Sequence, residues 1–329
     1  MRRARRPVIR LVLGTAATAA FLWLFLREVD LGDAWSEIRR LPPLTVAGAL
    51  GLVLVNVAVM ALRWRYLLEG AGYHVPLRSL FSSVAVGRAA NNVIPARGGD
   101  LLRIESMREV AQVPAFVSAG TLFAERLLDG VVLAIWILIG ALAVGTGGIP
   151  LLTGIALSAG AALGLVLVTL AARRPAAAER IAGRAAKRLP TRWHEGLVRA
   201  ASQFVEGIGA FRGGRQLLFA LATSAAMWIV DVAMFALVGR AYGLDLELGA
   251  YFLLEGIGNL ALAVPTTAAG LGSFDYLTYL AAREIEIGER AATAYVLTMH
   301  ALLVLPVTVL GALLLRPALP RFFRGRAAA

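Results

Sequence analysis

The sequence has no cysteine, a single lysine and only three histidines among its 329 residues. Without cysteine, disulfides, thiolate metal sites and cysteine nucleophiles are excluded, and the histidines do not have zinc-ligand spacing. A P-loop, a dinucleotide-binding glycine pattern after a strand and a G-x-S-x-G turn are also absent. We therefore predict no cofactor, no metal site and no catalytic residue, and a protein that is not an enzyme.

Charged residues are scarce as well, and long apolar runs take their place. Charged residues make up 16% of the chain and hydrophobic residues 59%, with a mean hydropathy of +0.73, whereas soluble domains have about 25% charged residues. Each run is near or above the roughly 20 residues that a helix needs to cross a bilayer. We predict one all-α, polytopic membrane domain over residues 1–329. The runs cover residues 8–26, 44–62, 117–143, 151–171, 216–240 and 291–315.

Basic segments predict the orientation of these spans. The net charge of +12 comes from short segments beside the apolar runs, a pattern typical of cytoplasmic flanks and not of a nucleic-acid surface. We predict that both termini and the loop at 172–215 are cytoplasmic, and that this loop forms amphipathic helices on anionic lipid headgroups. Arg63 and Arg65 are predicted to flank the second span on the same side. The Ala- and Arg-rich composition points to a bacterium, and hence to its inner (plasma) membrane.

Two segments cannot be ordinary spans in this orientation. Residues 79–112 would begin and end on the cytoplasmic side, and residues 249–283 on the outer side. We predict about six crossings and two oppositely oriented re-entrant helical hairpins, which share a loose pattern compatible with an inverted repeat. Proline cannot continue a helix and glycine permits tight turning. The residues that break the two hairpins are Pro95, Gly98, Gly99, Pro265, Gly270 and Gly272.

The first break, NNVIPARGGDLLR, predicts an anion site inside the bilayer. If both hairpins reach mid-membrane, two helix N-termini meet there, and their unpaired N–H groups favour a phosphate or carboxylate. Arg97 and Arg103 would add charged, bidentate contacts. The alternative is a structural hairpin whose arginine side chains extend to the cytoplasmic headgroups.

A charged motif, FAERLLDG, lies within the third apolar run. Its spacing places Glu125, Arg126 and Asp129 on one side of a helix. Charges at the centre of a span cost at least about 2.5–3.5 kcal/mol each and mark functional or packed sites. We predict that the two acids orient Arg97 or Arg103, or carry protons. A local Arg126–Asp129 pair or a position near the interface would also explain the motif.

Isolated polar residues also lie in the later runs. Asp231, deep in the fifth run, is a candidate proton or cation relay, or else a structural acid paired with an arginine of another helix. Glu255 and Asn259, four residues apart on the first limb of the second hairpin, would contact a polar headgroup, cap the broken helix or simply pack. His300 is a lone histidine in an apolar span, a pattern more typical of a structural residue than of a ligand.

Three ordered motifs, NNVIPARGGDLLRIESM, FAERLLDG and VPTTAAGLGSFDYLTYLAA, resemble one known family. Over roughly residues 10–315 the chain is similar to the lysylphosphatidylglycerol synthase transmembrane region, a flippase-like family of integral membrane proteins. In larger bacterial members, a similar membrane region moves aminoacylated phospholipids between leaflets, and a separate soluble domain attaches the amino acid from charged tRNA. The resemblance implies the translocating membrane half without the synthase domain.

The family pattern falls on residues of both hairpins and of the charged span. In the second hairpin, relatives read more like P-x-P-G-G-x-G-x-x-E, whereas this chain has TTAAGLGSFD, with Asp275 in place of the glutamate. That departure bears on the substrate more than on the fold. The matching positions are Asn92, Pro95, Arg97 and Gly98, followed by Arg103; Glu125, Arg126 and Asp129; and Pro265, Gly270 and Gly272.

Together, the residues and the resemblance favour a translocator of a phosphate-containing lipid, whether a phospholipid, an aminoacyl-phospholipid or a polyprenyl-phosphate lipid. Two alternatives stay open: a membrane component of lipid-linked glycan or aminoacyl-lipid synthesis with a soluble synthase partner, and a structural membrane subunit. Membrane lipids are the expected partners, nucleic acid is not, and a homo-oligomer stays open. The candidate substrate-binding residues are Asn92, Arg97, Arg103, Glu125, Arg126, Asp129, Asp231, Glu255 and Asn259.

Overall fold

The structure is a computed structural model that describes residues 15–94, 98–145, 148–186, 190–262 and 269–315. In these residues the chain forms helices and no strand, which confirms the predicted all-α class. One 3-10 turn, Gly209–Arg212, precedes α10. The helices are α1 Thr15–Leu26, α2 Leu31–Ile38, α3 Pro43–Gly70, α4 Leu77–Val93, α5 Gly98–Ala111, α6 Ala115–Val144, α7 Gly148–Arg173, α8 Pro175–Ala186, α9 Thr191–Gly207, α10 Gly214–Ala241, α11 Leu248–Ala261, α12 Ser273–Glu284 and α13 Glu289–Leu315.

Five helices in the described ranges are long and apolar enough to cross a membrane: α3, α6, α7, α10 and α13. They match five of the six predicted spans and confirm a polytopic membrane protein. The remaining predicted span begins at residue 8, outside the described residues, and its described part is the shorter apolar helix α1. One predicted boundary is wrong, because α3 continues to Gly70, eight residues beyond the predicted end at 62.

Four shorter helices occupy the two segments predicted as hairpins. The helices α4, α5, α11 and α12 have 17, 14, 14 and 12 residues. At 1.5 Å per residue, they are about 26, 21, 21 and 18 Å long, shorter than the roughly 30 Å of a hydrocarbon core. Within each pair the two helices pack against each other. Each segment is therefore a broken helical pair, and none of its limbs is long enough to span a bilayer unaided.

Glycine residues at both breaks permit a backbone geometry that other residues would disfavour. In the first pair, a Cβ atom on Gly99 would lie 1.9 Å from the carbonyl oxygen of Gly87, so only glycine lets α5 approach α4 this closely. In the second, Gly270 and Gly272 adopt positive φ angles of 73° and 81°, which favour glycine. The two prolines of the predicted breaks, Pro95 and Pro265, lie outside the described residues.

Helices of each half of the chain pack against helices of the other half. α3 packs on α10, and each is followed by one of the broken pairs. The first limb of the first pair, α4, packs on α13, and the first limb of the second pair, α11, packs on α6. Each broken pair therefore contacts the long helix that follows the other pair. This reciprocal packing is the arrangement that an internal repeat produces.

The predicted cytoplasmic loop at 172–215 is largely helical. It contains α8 and α9, which pack on each other, and α9 also packs along α6. The contact with α6 is close: a Cβ atom on Gly207 would lie 2.2 Å from the carbonyl oxygen of Val117. The loop is therefore tied to the membrane bundle. Its contact with anionic headgroups stays a prediction.

The opposite orientation of the two hairpins can be tested with single cysteines, because the chain has none of its own. His74 lies in the turn before α4 and Asp245 in the turn before α11, and both are exposed. We expect His74→Cys to react with a membrane-impermeant maleimide only from the cytoplasmic side, and Asp245→Cys only from the outer side. Labelling of both positions from the same side would contradict the predicted orientation.

Candidate functional site

A buried ion-pair network centred on Glu125 of α6 joins three helices. The Glu125 carboxylate accepts hydrogen bonds from both Nη atoms of Arg103 on α5, at 3.0 and 2.9 Å. It also lies 3.0 Å from Nη2 of Arg63 on α3. All three side chains are buried. Ions removed from water need close partners of opposite charge, and here one carboxylate supplies them to two guanidinium groups.

Asp129, one helical turn further along α6, extends this network to α10. Arg63 donates to Asp129, and Trp228 of α10 donates from its indole Nε1 at 3.2 Å. Ser224, also on α10, accepts from Arg63 at 3.2 Å. The local Arg126–Asp129 pair is present as well, at 3.5 Å, but it is the longest of these contacts. Asp129 therefore acts mainly between helices.

The prediction that Arg63 flanks the second span is wrong, and the error comes from its partners. Sequence analysis ended the second span before Arg63 because an arginine normally marks the membrane surface. Glu125 and Asp129 instead allow this guanidinium to be buried within the bundle. The one sequence signal for burial was that the apolar pattern resumes after Arg63, with Trp64 and Leu67 both buried.

Arg103 is buried between Glu125 and Trp64, and its Nε has no partner among the described residues. Its two Nη atoms are bonded to Glu125, and its guanidinium carbon lies 4.1 Å from the ring centroid of Trp64. Trp64 is held in turn by a 3.0 Å hydrogen bond to Thr121. Glu125 orients Arg103, and the pair fixes α5 to α6. The direct phosphate contact predicted for Arg103 stays a prediction.

Arg126 lies on the exposed side of the same network, next to the first break. Its side chain is 36% exposed and lies 3.2 Å from Asp100, which is 22% exposed. Asn91 donates to Asp100 at 3.1 Å and accepts from the backbone N–H of Gly99 at 2.8 Å. The first turn of α5 is thus capped by a side chain of α4. Sequence analysis missed Asn91 and named its neighbour Asn92, which instead donates to Thr308 of α13 at 2.9 Å.

Exposed apolar residues lie close to Arg126 and Asp100 along the chain. On its own helix, Phe123 and Gly130 lie three residues before and four residues after it, and both are exposed. Leu101, on the first turn of α5, is also exposed. These three exposed positions, which we call the apolar rim, flank Arg126 on α6 and Asp100 on α5 in the sequence.

A second polar chain crosses the bundle beside the first. Asp231 of α10 accepts a 2.8 Å hydrogen bond from Asn56 of α3, and Asn56 accepts a 2.7 Å hydrogen bond from Arg88 of α4. The predicted alternative, an acid matched with an arginine of another helix, therefore describes Asp231, with Asn56 placed between the two. Arg88 and Asn56 were not among the predicted residues. An arginine and an asparagine inside apolar segments were the available signals.

The acids and arginines of these two sets of bonded side chains balance in charge. Among the described residues they comprise four arginines and four carboxylates, so the paired network is close to neutral when all are ionised. Such balance is what permits eight ionisable groups to lie within an apolar bundle. The members are Arg63, Arg88, Arg103, Arg126, Asp100, Glu125, Asp129 and Asp231.

The predicted residues of the second hairpin bond to each other, although Glu255 lies close enough to Asp231 and Asp129 of the network to interact electrostatically. Glu255 is fully buried, and its Oε1 accepts from Asn259 at 2.9 Å, a contact within α11. Its other oxygen, Oε2, has no partner among the described residues. Among the described residues, the bonds of this pair lie within α11, so its predicted contact with a headgroup stays a prediction. Arg97 lies outside the described residues, so its predicted phosphate contact stays a prediction.

Comparison with known proteins agrees with the motifs and the fold. Residues 8–311 match the sequence profile of the lysylphosphatidylglycerol synthase TM region. The chain is 27% identical over 325 residues to "Glycosyltransferase AglD" of Haloferax volcanii, an alignment that covers 89% of this chain and 52% of that protein. This chain thus corresponds to about half the length of that relative.

Another relative has a similar length. A protein of Methanothermobacter thermautotrophicus, described as "UPF0104 membrane protein", is 25% identical over 286 residues, which covers 82% of this chain and 83% of that protein. A second UPF0104 membrane protein of the same organism is 24% identical over 300 residues. The profile match extends over almost the whole described structure, from α1 into α13. The chain therefore belongs to the family of the lysylphosphatidylglycerol synthase transmembrane region.

Proposed function

We propose that this protein moves a phosphate-containing lipid between the leaflets of a membrane. The observation that carries the proposal is Arg126, whose side chain is 36% exposed and lies beside the first helix break, near the apolar rim. Arginine binds phosphate through two parallel N–H donors. A phospholipid, an aminoacyl-phospholipid and a polyprenyl-phosphate lipid all present such a phosphate to the same group.

The proposed binding step is an exchange of partners. In the present structure Asp100 occupies the outer side of Arg126 at 3.2 Å. An arriving phosphate competes with this carboxylate, which is itself partly exposed and can turn towards water or towards Asn91. The acyl chains stay along Leu101 and Phe123, where the surface is apolar and exposed. The fully buried pairs of Glu125 hold the helices in place while this exchange occurs.

A second candidate function is the membrane component of lipid-linked glycan synthesis. The similarity to a protein named as a glycosyltransferase favours it, although this chain matches only about half of that protein's length. The same arginine would then hold the phosphate of a polyprenyl-linked sugar for a soluble partner. This function requires headgroup turnover in the presence of that partner, whereas translocation does not.

Substituting Arg126 by alanine tests the proposed site. We expect Arg126→Ala to slow lipid movement in reconstituted vesicles roughly tenfold or more, because a charge-assisted hydrogen bond contributes about 1.5–3 kcal/mol. Arg126→Lys should retain part of the rate, since it keeps the charge but not the bidentate geometry. Movement of fluorescent phospholipids and polyprenyl-phosphate lipids is followed by dithionite quenching.

Arg108→Ala is the matched control, because Arg108 lies on α5, is exposed and pairs only locally with Glu105. It should leave the rate unchanged. Mass spectrometry of lipids that co-purify with wild type and with Arg126→Ala names the cargo: we expect one phosphate lipid to be lost from the variant. Equal retention of bulk lipid together with equal rates would contradict a phosphate site at Arg126 and favour a structural subunit.

A further inference from the structure

His300 of α13 contacts two hydrogen-bond acceptors, one at each ring nitrogen. Its Nδ1 lies 2.6 Å from Oδ1 of Asp275 on α12, and its Nε2 lies 2.9 Å from the backbone carbonyl oxygen of Ala269. Both His300 and Asp275 are buried within the bundle. Sequence analysis treated His300 as a lone histidine, and the lipid site described above does not use it.

Counting protons at these two contacts limits the states of the pair. A carbonyl oxygen only accepts, so Nε2 must carry a proton and donate to Ala269. Nδ1 can then donate to an ionised Asp275 or accept from a protonated one, and either way a single proton lies between them. If that proton is lost, the Nδ1 lone pair faces a carboxylate, and the 2.6 Å contact becomes repulsive.

The pair also holds the second break in position. The other oxygen of Asp275, Oδ2, accepts a 2.9 Å hydrogen bond from the N–H of Gly272 at the start of α12. Ala269, the partner of Nε2, has a φ of 50°, an uncommon value for a residue with a side chain. His300 therefore links α13 to both ends of the turn from Ala269 to Gly272, through the proton on Nε2 at one end and the proton shared with Asp275 at the other.

The other titratable groups that face this part of α13 have partners of their own. Tyr295 donates to the carbonyl of Phe235 on α10, and Tyr242, which follows α10, bonds Thr298. The Phe274 ring covers the imidazole at a centroid distance of 4.9 Å. Among the described residues, Asp275 is the charged group that acts on His300.

We infer that the His300–Asp275 pair is a binding site for one exchangeable proton, and that this proton couples the second hairpin to α13. When the proton is bound, the pair holds the start of α12 against α13. When the proton is lost, repulsion between Nδ1 and the carboxylate separates the two helices. The role of this proton site rests on the proposed lipid movement. In that movement, the pair supplies the proton-coupled step. No bond other than the N–H or O–H bond of the pair is made or broken.

Nuclear magnetic resonance of the histidine ring nitrogens tests the proton site without any transport assay. The chain has three histidines, so the variant carrying His74→Gln and His194→Gln leaves His300 as the single signal. We expect this signal to change with pH as the shared proton binds and leaves. In Asp275→Asn it should be a neutral ring protonated at Nε2 over the same pH range, because the amide can donate to Nδ1. Ring-nitrogen signals of His300 and a carboxyl carbon signal of Asp275 that all stay unchanged with pH in the wild-type pair would overturn the proton site.

Lipid movement as a function of pH then tests the coupling. In wild type we expect the rate to change roughly tenfold per pH unit on the limiting side of a single-proton transition. His300→Gln should make the rate independent of pH; it keeps Asp275 as the cap of α12, so folding is preserved. His74→Gln, at an exposed turn, is the matched control and should behave as wild type.

The two assays separate the two ideas. A titrating His300 signal in a protein that moves no lipid would contradict the proposed function and leave the proton site standing. Lipid movement whose pH dependence survives in His300→Gln would contradict the coupling and leave the proposed function standing.

Discussion

Replacing Glu125 by glutamine is expected to lower the free energy of unfolding by about 3–5 kcal/mol, the effect of removing one partner of a buried ion pair. Glu125 is fully buried, and its carboxylate is bonded to Arg103 and lies 3.0 Å from Arg63. The amide fills the same space but leaves two guanidinium charges without their shared counter-ion. Thermal or denaturant unfolding in mild detergent measures the loss.

Glu105→Gln is the control for this prediction. Glu105 lies on α5 and forms an exposed pair with Arg108, and exposed pairs contribute about 0–1 kcal/mol. The double variant Glu125→Leu with Arg103→Met should be less destabilised than the sum of its single variants, because it removes a pair and not one partner. A loss at Glu125 as small as that at Glu105 would show that the buried pairs do not hold the bundle.

Gly99→Ala is expected to force the first hairpin apart, with a loss of stability at or above the usual 1–3 kcal/mol of overpacking. The added methyl would lie 1.9 Å from the carbonyl oxygen of Gly87 and 2.8 Å from the backbone nitrogen of Asn91. Both obstacles are backbone atoms of α4, so no side-chain rotation can make room. The movement would also break the cap that Asn91 provides to α5. Unfolding of the purified variant measures the effect.

Gly51→Ala provides a matched control on α3. A Cβ atom at Gly51 has nothing within 4 Å, and alanine in a helix interior is about 0.5–1 kcal/mol more favourable than glycine. The two substitutions are chemically identical and are expected to change stability in opposite directions. Equal small effects at both positions would contradict the close approach of α4 and α5.

The buried network has a consequence for how the proposed lipid site works. Arg103 and Arg63 are held by Glu125, and Arg126 is the network arginine with a large exposed fraction beside the apolar rim. Rigid, buried pairs therefore support a single adaptable cation. This division between a fixed interior and one accessible group lets a phosphate bind without unpairing the interior charges.

The sequence by itself determined the features that depend on local chemistry. Apolar length located the spans that became α3, α6, α7, α10 and α13, and glycine near Gly99 and Gly272 located the two breaks. The position of a span depends on the hydrophobicity of neighbouring residues, and the position of a break depends on local backbone freedom. Both can therefore be predicted from a short sequence pattern. The three motifs also identified the family.

Only the tertiary structure decided which charges meet. Whether Arg63 lies at the surface or in the core depends on α6 facing α3, and whether Arg103 is available depends on Glu125, 22 residues away. The selection of Asn91 over Asn92 as the cap, and the pairing of His300 with Asp275, depend on how helices rotate against one another. A charge inside a membrane is tolerated only beside its partner, and the partner is set by helix packing, which the order of residues does not display.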